Sequence, residues 1–259
     1  MFKTDQLSFR YPSQSFDAVH NVTVEIENGS FTTIIGANGS GKSTFIKLLG
    51  GLLGHFTGKL FFQNSDITAL KSTQLAKSIA YVPQTPDFLF SMSVEEMVAT
   101  GCAPYLDWWG SKTADAEKMI RHSLEVCELT HVRHQPVTQL SGGEKQRVWI
   151  AKALVQNTPC ILLDEPTAHL DIKHQVDVFR LLKSLQSEHN KTIVVACHDL
   201  NLASHFGTNA VLFQCGQILS AGKTSEVFTS EIIAKGFSVP VDVNLTSNSI
   251  NVFVKYWSN

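Results

Sequence analysis

The sequence lacks long hydrophobic runs. No stretch approaches the ~20 consecutive apolar residues that a membrane-spanning helix requires, and the most apolar segments, residues 160–163 and 193–197, have the length of strands. The N-terminal stretch MFKTDQLSFRYP contains no apolar segment long enough for a secretory signal. We therefore expect a soluble, cytosolic protein without a membrane-spanning segment.

A strong excess of charge of either sign is also missing. The 259 residues include 21 Lys and Arg against 23 Asp and Glu, which gives a formal net charge of −2. This balance argues against a protein whose main role is to hold a polyanion, so we expect no nucleic-acid partner. The length allows one large domain or two small ones, with a core large enough to need no disulfides.

The five cysteines show no paired spacing. Their number is odd, they are scattered, and no CxxC occurs. Cys160 and Cys197 lie in apolar runs typical of buried strands. This usage favours reduced thiols that serve as small hydrophobic residues in a reducing compartment.

Hydrophobic spacing predicts an α/β fold. Apolar residues alternate in the N-terminal segments 7–11 and 22–26, as expected of half-buried strands, and residues 31–35 form a β-branched run. Later strands alternate with helices, which implies a mostly parallel sheet covered on both faces. The other predicted elements are strands at 59–63, 79–83, 160–164 and 192–197, and helices at 42–53, 94–101, 114–128, 143–156 and 173–188.

Two segments differ in character from this core. Residues 85–141 combine two predicted helices with a turn-rich patch and the adjacent Trp108 and Trp109, which predicts a helical subdomain inserted into the α/β core. Trp108 and Trp109 are more often used for packing, but they are also candidate anchors for a membrane partner. Residues 240–245 and 250–254 alternate around Ser247 and Asn248, as in a short β-hairpin.

Residues 36–43, GANGSGKS, match the phosphate-loop pattern without deviation and lie between a predicted strand and a predicted helix. Such glycines let backbone N–H groups converge on nucleotide phosphates, and the helix N-terminus adds its positive end. Lys42 is expected to reach the β- and γ-phosphates, and the Ser43 hydroxyl to bind Mg²⁺. The candidate nucleotide-binding residues of this loop are Gly36, Ala37, Asn38, Gly39, Ser40, Gly41, Lys42, Ser43 and Thr44.

An apolar strand ends in two carboxylates, Asp164 and Glu165. In a nucleotide site, one carboxylate can hold Mg²⁺ through water and the other can polarise the attacking water. Asp164 lies nearer the apolar run and is the candidate metal partner, which leaves Glu165 as the candidate general base. The alternative is that the pair only marks the start of the next helix.

Residues 140–147, LSGGEKQR, place a serine and two glycines at a predicted helix start, which is a second anion-binding arrangement. This segment resembles the signature motif of the ATP-binding cassette (ABC) family, and the resemblance extends over about residues 5–240. It implies that the signature residues complete the nucleotide site of the opposite subunit, so that two chains enclose two ATP molecules. The signature residues acting in trans are Ser141, Gly142, Gly143 and Glu144.

The resemblance assigns further residues one by one. Tyr11 lies where the family stacks an aromatic ring on adenine, and Gln84 resembles the glutamine that senses Mg²⁺ and faces the membrane partner. Asp171 resembles the residue of the loop that crosses the dimer interface. His198 resembles the histidine that contacts the γ-phosphate and orients water. With Glu165, Gln84 and His198 form the candidate catalytic set, and Ser43, Gln84 and Asp164 form the candidate metal set.

The implied fold is an ABC-type nucleotide-binding domain with a mixed or parallel central sheet, an N-terminal antiparallel β subdomain and an inserted helical subdomain. The expected organisation is one ATPase domain over 1–259. Its RecA-like core with the β subdomain spans 1–84 and 142–240, the helical subdomain spans 85–141, and the β tail spans 241–259.

Residues 166–175, PTAHLDIKHQ, and 197–203, CHDLNLA, look like those of importers of ferric siderophores, haem and cobalamin. The resemblance implies a Mg²⁺-dependent ATPase homodimer on the cytoplasmic face of the plasma membrane, acting on separate permease subunits and served by a periplasmic or lipoprotein binding protein. The iron-siderophore class is the preferred substrate class, with haem or cobalamin as the alternative. Two other interpretations are a soluble cassette ATPase without a membrane partner and a cassette that holds ATP without turnover.

Overall fold

The computed structural model describes residues 1–84, 92–105, 114–168, 170–246 and 249–255. Residues 85–91, Trp108, Trp109, Ser247 and Asn248, on which the sequence analysis drew, lie outside these ranges. The strands are β1 (Phe2–Phe9), β2 (Val19–Ile26), β3 (Phe31–Gly36), β4 (Thr57–Phe62), β5 (Ser65–Asp66), β6 (Ile79–Val82), β7 (Cys160–Asp164), β8 (Thr192–Ala196), β9 (Asn209–Gln214), β10 (Gln217–Lys223), β11 (Val241–Leu245) and β12 (Ile250–Val254). The helices are α1 (Lys42–Leu49), α2 (Ser72–Ala76), α3 (Val94–Ala99), α4 (Ala114–Val126), α5 (Gly142–Val155), α6 (Ile172–His189), α7 (Leu200–Phe206), α8 (Thr224–Val227) and α9 (Ser230–Phe237).

Within the described residues, the main sheet has six strands in the order β10-β9-β3-β8-β7-β6. Strands β9, β3, β8, β7 and β6 are mutually parallel, and β10 joins β9 antiparallel. Strands β3, β7 and β8 are buried along their whole length, because helices cover both faces of a parallel sheet. The carboxyl ends of β3, β6, β7 and β8 therefore meet at one edge.

The N-terminal strands form a separate antiparallel sheet in the order β2-β1-β4-β5. Its buried face packs on α1, and α1 packs on the main sheet, so one hydrophobic core joins the two sheets through Phe45 and Leu48. The alternation predicted for β1 and β2 is interrupted by irregular pairing, where Gln6 and Asn21 have φ values of 50° and 53°. These kinks keep Leu7 and Val22 buried.

Helices α3, α4 and α5 lie between β6 and β7 in the chain. They pack on one another and contribute to a second hydrophobic core. Helices α1, α3 and α4 end two or more residues earlier than predicted, and for α1 and α3 the chain offers a reason. Helix α1 stops at Leu49 instead of residue 53, because Gly51 adopts a φ of +66°. Helix α3 stops at Ala99, where a 3₁₀ segment containing Pro104 follows.

The C-terminal strands β11 and β12 pair antiparallel, as the alternation predicted. Their hairpin is attached to α7, since Asn201 Oδ1 accepts a hydrogen bond from the Val252 amide (2.8 Å) and Ser204 Oγ donates to the Ile250 carbonyl (2.8 Å). Among the helices that the structure describes, none is long and apolar enough to cross a membrane.

Candidate nucleotide site

An open cleft of about 780 Å³ lies where the loops after β3, β6, β7 and β8 converge. In parallel α/β sheets, ligands bind at the carboxyl ends of the strands. The cleft brings together most of the predicted site: Tyr11, residues 38–44, Gln84, Glu165 and His198. It is also lined by residues that the sequence analysis did not single out: Gln14, Phe16, Asp17, Ala18, Cys215 and Gly216.

The loop of residues 36–41 requires glycine at defined points. Gly36 has a φ of +147°, and an added Cβ would lie 2.3 Å from the Phe213 carbonyl oxygen. Gly41 has a φ of +107° and adjoins the first residue of α1, so the loop leads directly into a helix N-terminus. Backbone N–H groups at such an N-terminus favour anions.

Lys42 points into the interior of the loop. Its side chain is 3% exposed, and Nζ donates to the carbonyl oxygens of Gly36 (2.9 Å) and Ala37 (3.0 Å). Nζ also lies 3.7 Å from Glu165 Oε1. Burial lowers the pKa of Lys42, and the carboxylate of Glu165 opposes that shift. Lys42 thus places a positive charge between the loop carbonyls and Glu165.

Ser43 and Asp164, which are 121 positions apart in the sequence, are brought together by the fold. Ser43 Oγ donates to Asp164 Oδ1 (2.7 Å), and Tyr81 Oη donates to Asp164 Oδ2 (3.4 Å). Asp164 is 2% exposed, and burial raises its pKa. A hydroxyl and a carboxylate oxygen at this separation are the hard oxygen ligands that suit Mg²⁺.

The raised pKa of Asp164 predicts a pH-dependent stability. A raised native pKa means that the native state binds the proton more tightly than the unfolded chain, so the ionised side chain costs stability at neutral pH and this cost disappears as the pH falls. Asp164→Asn should therefore raise the melting temperature of the nucleotide-free protein at pH 7 and have a smaller effect in acid. Thermal unfolding over a pH series measures this, and an equal effect at every pH would contradict it.

Glu165 lies at the centre of a convergent group of side chains. It follows β7 with a φ of +48°, unusual for a non-glycine residue, and it is 7% exposed. His198 Nε2 lies 2.6 Å from Oε1, and Gln84 Nε2 donates to Oε2 (2.7 Å). Three loops therefore fix the direction of one carboxylate towards the cleft.

Tyr11 lies at the side of the cleft, where its ring meets Phe9 edge-on at 4.9 Å between centroids. Its hydroxyl is 3.3 Å from Thr44 Oγ1, in the first turn of α1. Phe16 lines the same cleft and is 63% exposed. Tyr11 and Phe16 thus offer two aromatic surfaces near the phosphate loop, and the sequence had indicated only Tyr11.

The signature residues lie apart from this cleft. Ser141 caps α5: its Oγ donates to Glu144 Oε2 (2.6 Å) and accepts from the Glu144 amide (3.3 Å). Asp171 caps α6 and accepts from the His174 amide (2.9 Å). The described residues that line the cleft include neither Asp171 nor any residue of 140–147.

These elements define a nucleotide-binding protein of the phosphate-loop class: a parallel sheet, a glycine loop opening a helix, and carboxylates after the neighbouring strand. The family model of the ABC transporter matches residues 19–168. The chain belongs to the ABC transporter family. The predicted family, fold class and ATPase class are confirmed.

One curated relative is the iron(3+)-hydroxamate import ATP-binding protein FhuC of Bacillus subtilis. It is 33% identical over 240 residues, which cover 93% of this chain and 88% of FhuC. The name of this relative agrees with the substrate class that the sequence analysis preferred.

Two solved structures are similar over nearly the whole chain. One, described as an inward-facing metal-chelate type ABC transporter, has a TM-score of 0.84 at 27% identity and covers 98% of this chain and 96% of its own. The other is a dimeric ATP-binding cassette in a post-hydrolysis state with ADP and Pi. It has a TM-score of 0.76 at 31% identity and covers 86% of this chain and 99% of its own.

Proposed function

We propose that this chain is the ATP-hydrolysing subunit of an importer of iron-siderophore chelates. The observation that carries the proposal is Glu165, held towards the cleft by His198 and Gln84 and 3.7 Å from Lys42. A carboxylate in such a setting is suited to act as the general base that takes a proton from water. This argues against a cassette that only holds ATP. FhuC and the metal-chelate type transporter support the substrate class.

The proposed chemistry follows from these positions. The amides of residues 38–43 and Lys42 hold the triphosphate, with Tyr11 against the adenine ring. Glu165 accepts a proton from the water that attacks the γ-phosphorus, the bond from that phosphorus to the bridging oxygen breaks, and ADP and phosphate leave. His198, whose Nε2 lies 2.6 Å from Glu165 Oε1, orients this water. Most of the catalysis is positioning and electrostatic stabilisation.

Ser43 and Asp164 are the residues that we propose to hold Mg²⁺, together with the amide oxygen of Gln84. When bound, the ion supplies charge neutralisation to the phosphate oxygens. The 2.7 Å contact between Ser43 Oγ and Asp164 Oδ1 supports this assignment, because the two side chains direct oxygen atoms, the ligands that Mg²⁺ prefers, to the same point of the cleft edge.

Two copies of the chain are proposed to close around two nucleotides. The cleft is open and is lined by none of the described signature residues, so the γ-phosphate side needs a second surface. Ser141, Gly142, Gly143 and Glu144 of the other copy present a helix N-terminus for that purpose, and Asp171 lies beside them. The dimeric neighbour supports this arrangement.

The proposed setting is the cytoplasmic face of the plasma membrane, where the dimer drives separate permease subunits served by a periplasmic or lipoprotein binding protein. The proposed organisation is a single ATPase domain over 1–259, with its core in 1–84 and 142–240, its helical subdomain in 85–141 and its β tail in 241–259. The resemblance of residues 166–175 and 197–203 to importers of ferric siderophores, haem and cobalamin supports the proposed setting at the membrane.

Uptake by a deletion strain tests the substrate class. A strain that lacks this chain should fail to accumulate a radiolabelled ferric hydroxamate, and the wild-type chain should restore uptake while Glu165→Gln should not. Labelled haem and labelled cobalamin are measured in parallel. Loss of haem or cobalamin uptake instead would overturn the iron-siderophore assignment. Unchanged uptake of all three, with no permease recovered from a detergent extract, would favour the soluble ATPase.

A further inference from the structure

His174, in the first turn of α6, contacts two elements that the proposed function assigns to the partner's nucleotide. One is Gly143 in the first turn of α5, and the other is Asp171, which caps α6. Gly143 and Asp171 are 28 residues apart in sequence (171 − 143), and His174 bridges them with one side chain.

The contact with Gly143 is close. A Cβ added at Gly143 would lie 2.8 Å from His174 Cδ2, 3.0 Å from Cγ and 3.4 Å from Nε2, so the imidazole ring occupies the space that a side chain would need. Gly142 is covered in a similar way, since a Cβ there would lie 3.5 Å from Leu170 Cδ2. The two signature glycines therefore pack against the segment that carries Asp171.

The contact with Asp171 is polar. His174 Nδ1 lies 2.8 Å from Asp171 Oδ1, and because an ionised carboxylate only accepts, the ring nitrogen donates. The hydrogen bond from the His174 amide, and after it the one from the His174 ring, lower the pKa of Asp171. The neighbouring Gln175 Nε2 donates to the Leu170 carbonyl (3.0 Å). The first turn of α6 thus fixes both the backbone and the carboxylate of the loop.

We propose that His174 is a positioning residue that sets the spacing between the signature glycines and Asp171, so that both reach the partner's nucleotide site together. This inference rests on the proposed function, because it assumes that both elements act across a dimer. Neither Gly143 nor His174 is among the described residues that line the chain's own cleft. His174 should therefore affect closure of the dimer and leave the binding of nucleotide to a single chain unchanged.

His174→Ala removes both contacts, while His174→Asn keeps a short polar side chain whose amide can donate to Asp171. We expect His174→Ala to lower kcat about tenfold or more, since small misplacements of positioning groups have large effects on rate. Its affinity for ADP, measured on dilute single chains, should stay within twofold of wild type. His174→Asn should recover most of the lost kcat. The matched control is His189→Ala, at the other end of α6, which should behave as wild type.

A double substitution tests the contact itself. Gly143→Ala should lower turnover in the wild-type background, and its additional effect should be smaller when His174 is already alanine, because the added methyl then has space. Equal effects in the two backgrounds would overturn the inference, as would wild-type kcat in His174→Ala. Thermal unfolding of every variant identifies any that fails to fold.

Failure of the proposed dimer is distinguished separately. A chain with Lys42→Ala is mixed with a chain carrying Ser141→Arg, both with His174 intact. Mixed pairs contain one intact composite site, so activity should return to roughly a quarter of wild type, because half of random pairs are mixed. No recovery would reject the composite site. Recovery of activity in the mixture, together with a wild-type kcat in His174→Ala, would reject only the role of His174.

Discussion

A Glu165→Gln chain should bind ATP at least as tightly as wild type and hydrolyse it at least about 100-fold more slowly, the usual contribution of a general base. The amide has nearly the same shape as the carboxylate, so its carbonyl oxygen can still accept from either His198 or Gln84, which lie 2.6 and 2.7 Å from the two carboxylate oxygens. The amide cannot accept the proton of an attacking water at neutral pH. Binding and proton transfer are therefore separated.

The same substitution should trap a closed dimer. In the proposed cycle, two chains come together around ATP and separate after hydrolysis, so a chain that cannot hydrolyse stays closed. Removing the charge of Glu165 also removes a negative group that lies 3.7 Å from Lys42 Nζ. Lys42 is then more available to the phosphates, which adds to the affinity for ATP.

Three measurements check this prediction: phosphate release, equilibrium binding of labelled ATP, and the elution volume of the protein with and without ATP. Glu188→Gln is the matched control, because that carboxylate is exposed near the end of α6. Wild-type turnover in Glu165→Gln would show that Glu165 is not the base. Loss of ATP binding would show that its main role is to hold the cleft in shape.

The phosphate loop and its surroundings could be predicted because their signals are local. Gly36 and Gly41 mark a turn between a strand and a helix, and the apolar run of residues 160–163 followed by Asp164 and Glu165 marks a buried strand with charges at its end. The parallel sheet then places these ends together, which explains the Ser43 to Asp164 contact across 121 positions of the chain.

Other parts of the site depend on packing between distant segments. Tyr81 reaches Asp164 only because β6 pairs with β7, and His174 covers Gly143 only because α6 packs on α5. Phe16 and Cys215 come from loops that meet at the cleft. No periodicity or spacing indicates such contacts, since each depends on the register of whole elements.

Gly41 is a position where local and distant constraints coincide. Its φ of +107° belongs to the region that side chains rarely adopt, and an added Cβ would lie 2.4 Å from the Ala18 carbonyl oxygen. This oxygen belongs to the backbone of the loop before β2, so it cannot move away as a flexible side chain could. Gly39, two residues earlier in the same loop, has a φ of +73°, but a Cβ added there would meet no heavy atom within 4 Å.

Gly41→Ala should therefore destabilise the nucleotide-free protein by about 3 kcal/mol or more, through backbone strain and a steric clash. Gly39→Ala carries only the strain and should cost about 1 kcal/mol. Because the clash pushes the start of α1 away from the loop, Gly41→Ala should also weaken ATP binding about 100-fold. Denaturant unfolding and equilibrium nucleotide binding measure the two effects. Equal destabilisation by the two alanines would contradict the role given to Ala18, because the space around Gly41 would then be irrelevant and its φ alone would account for the glycine.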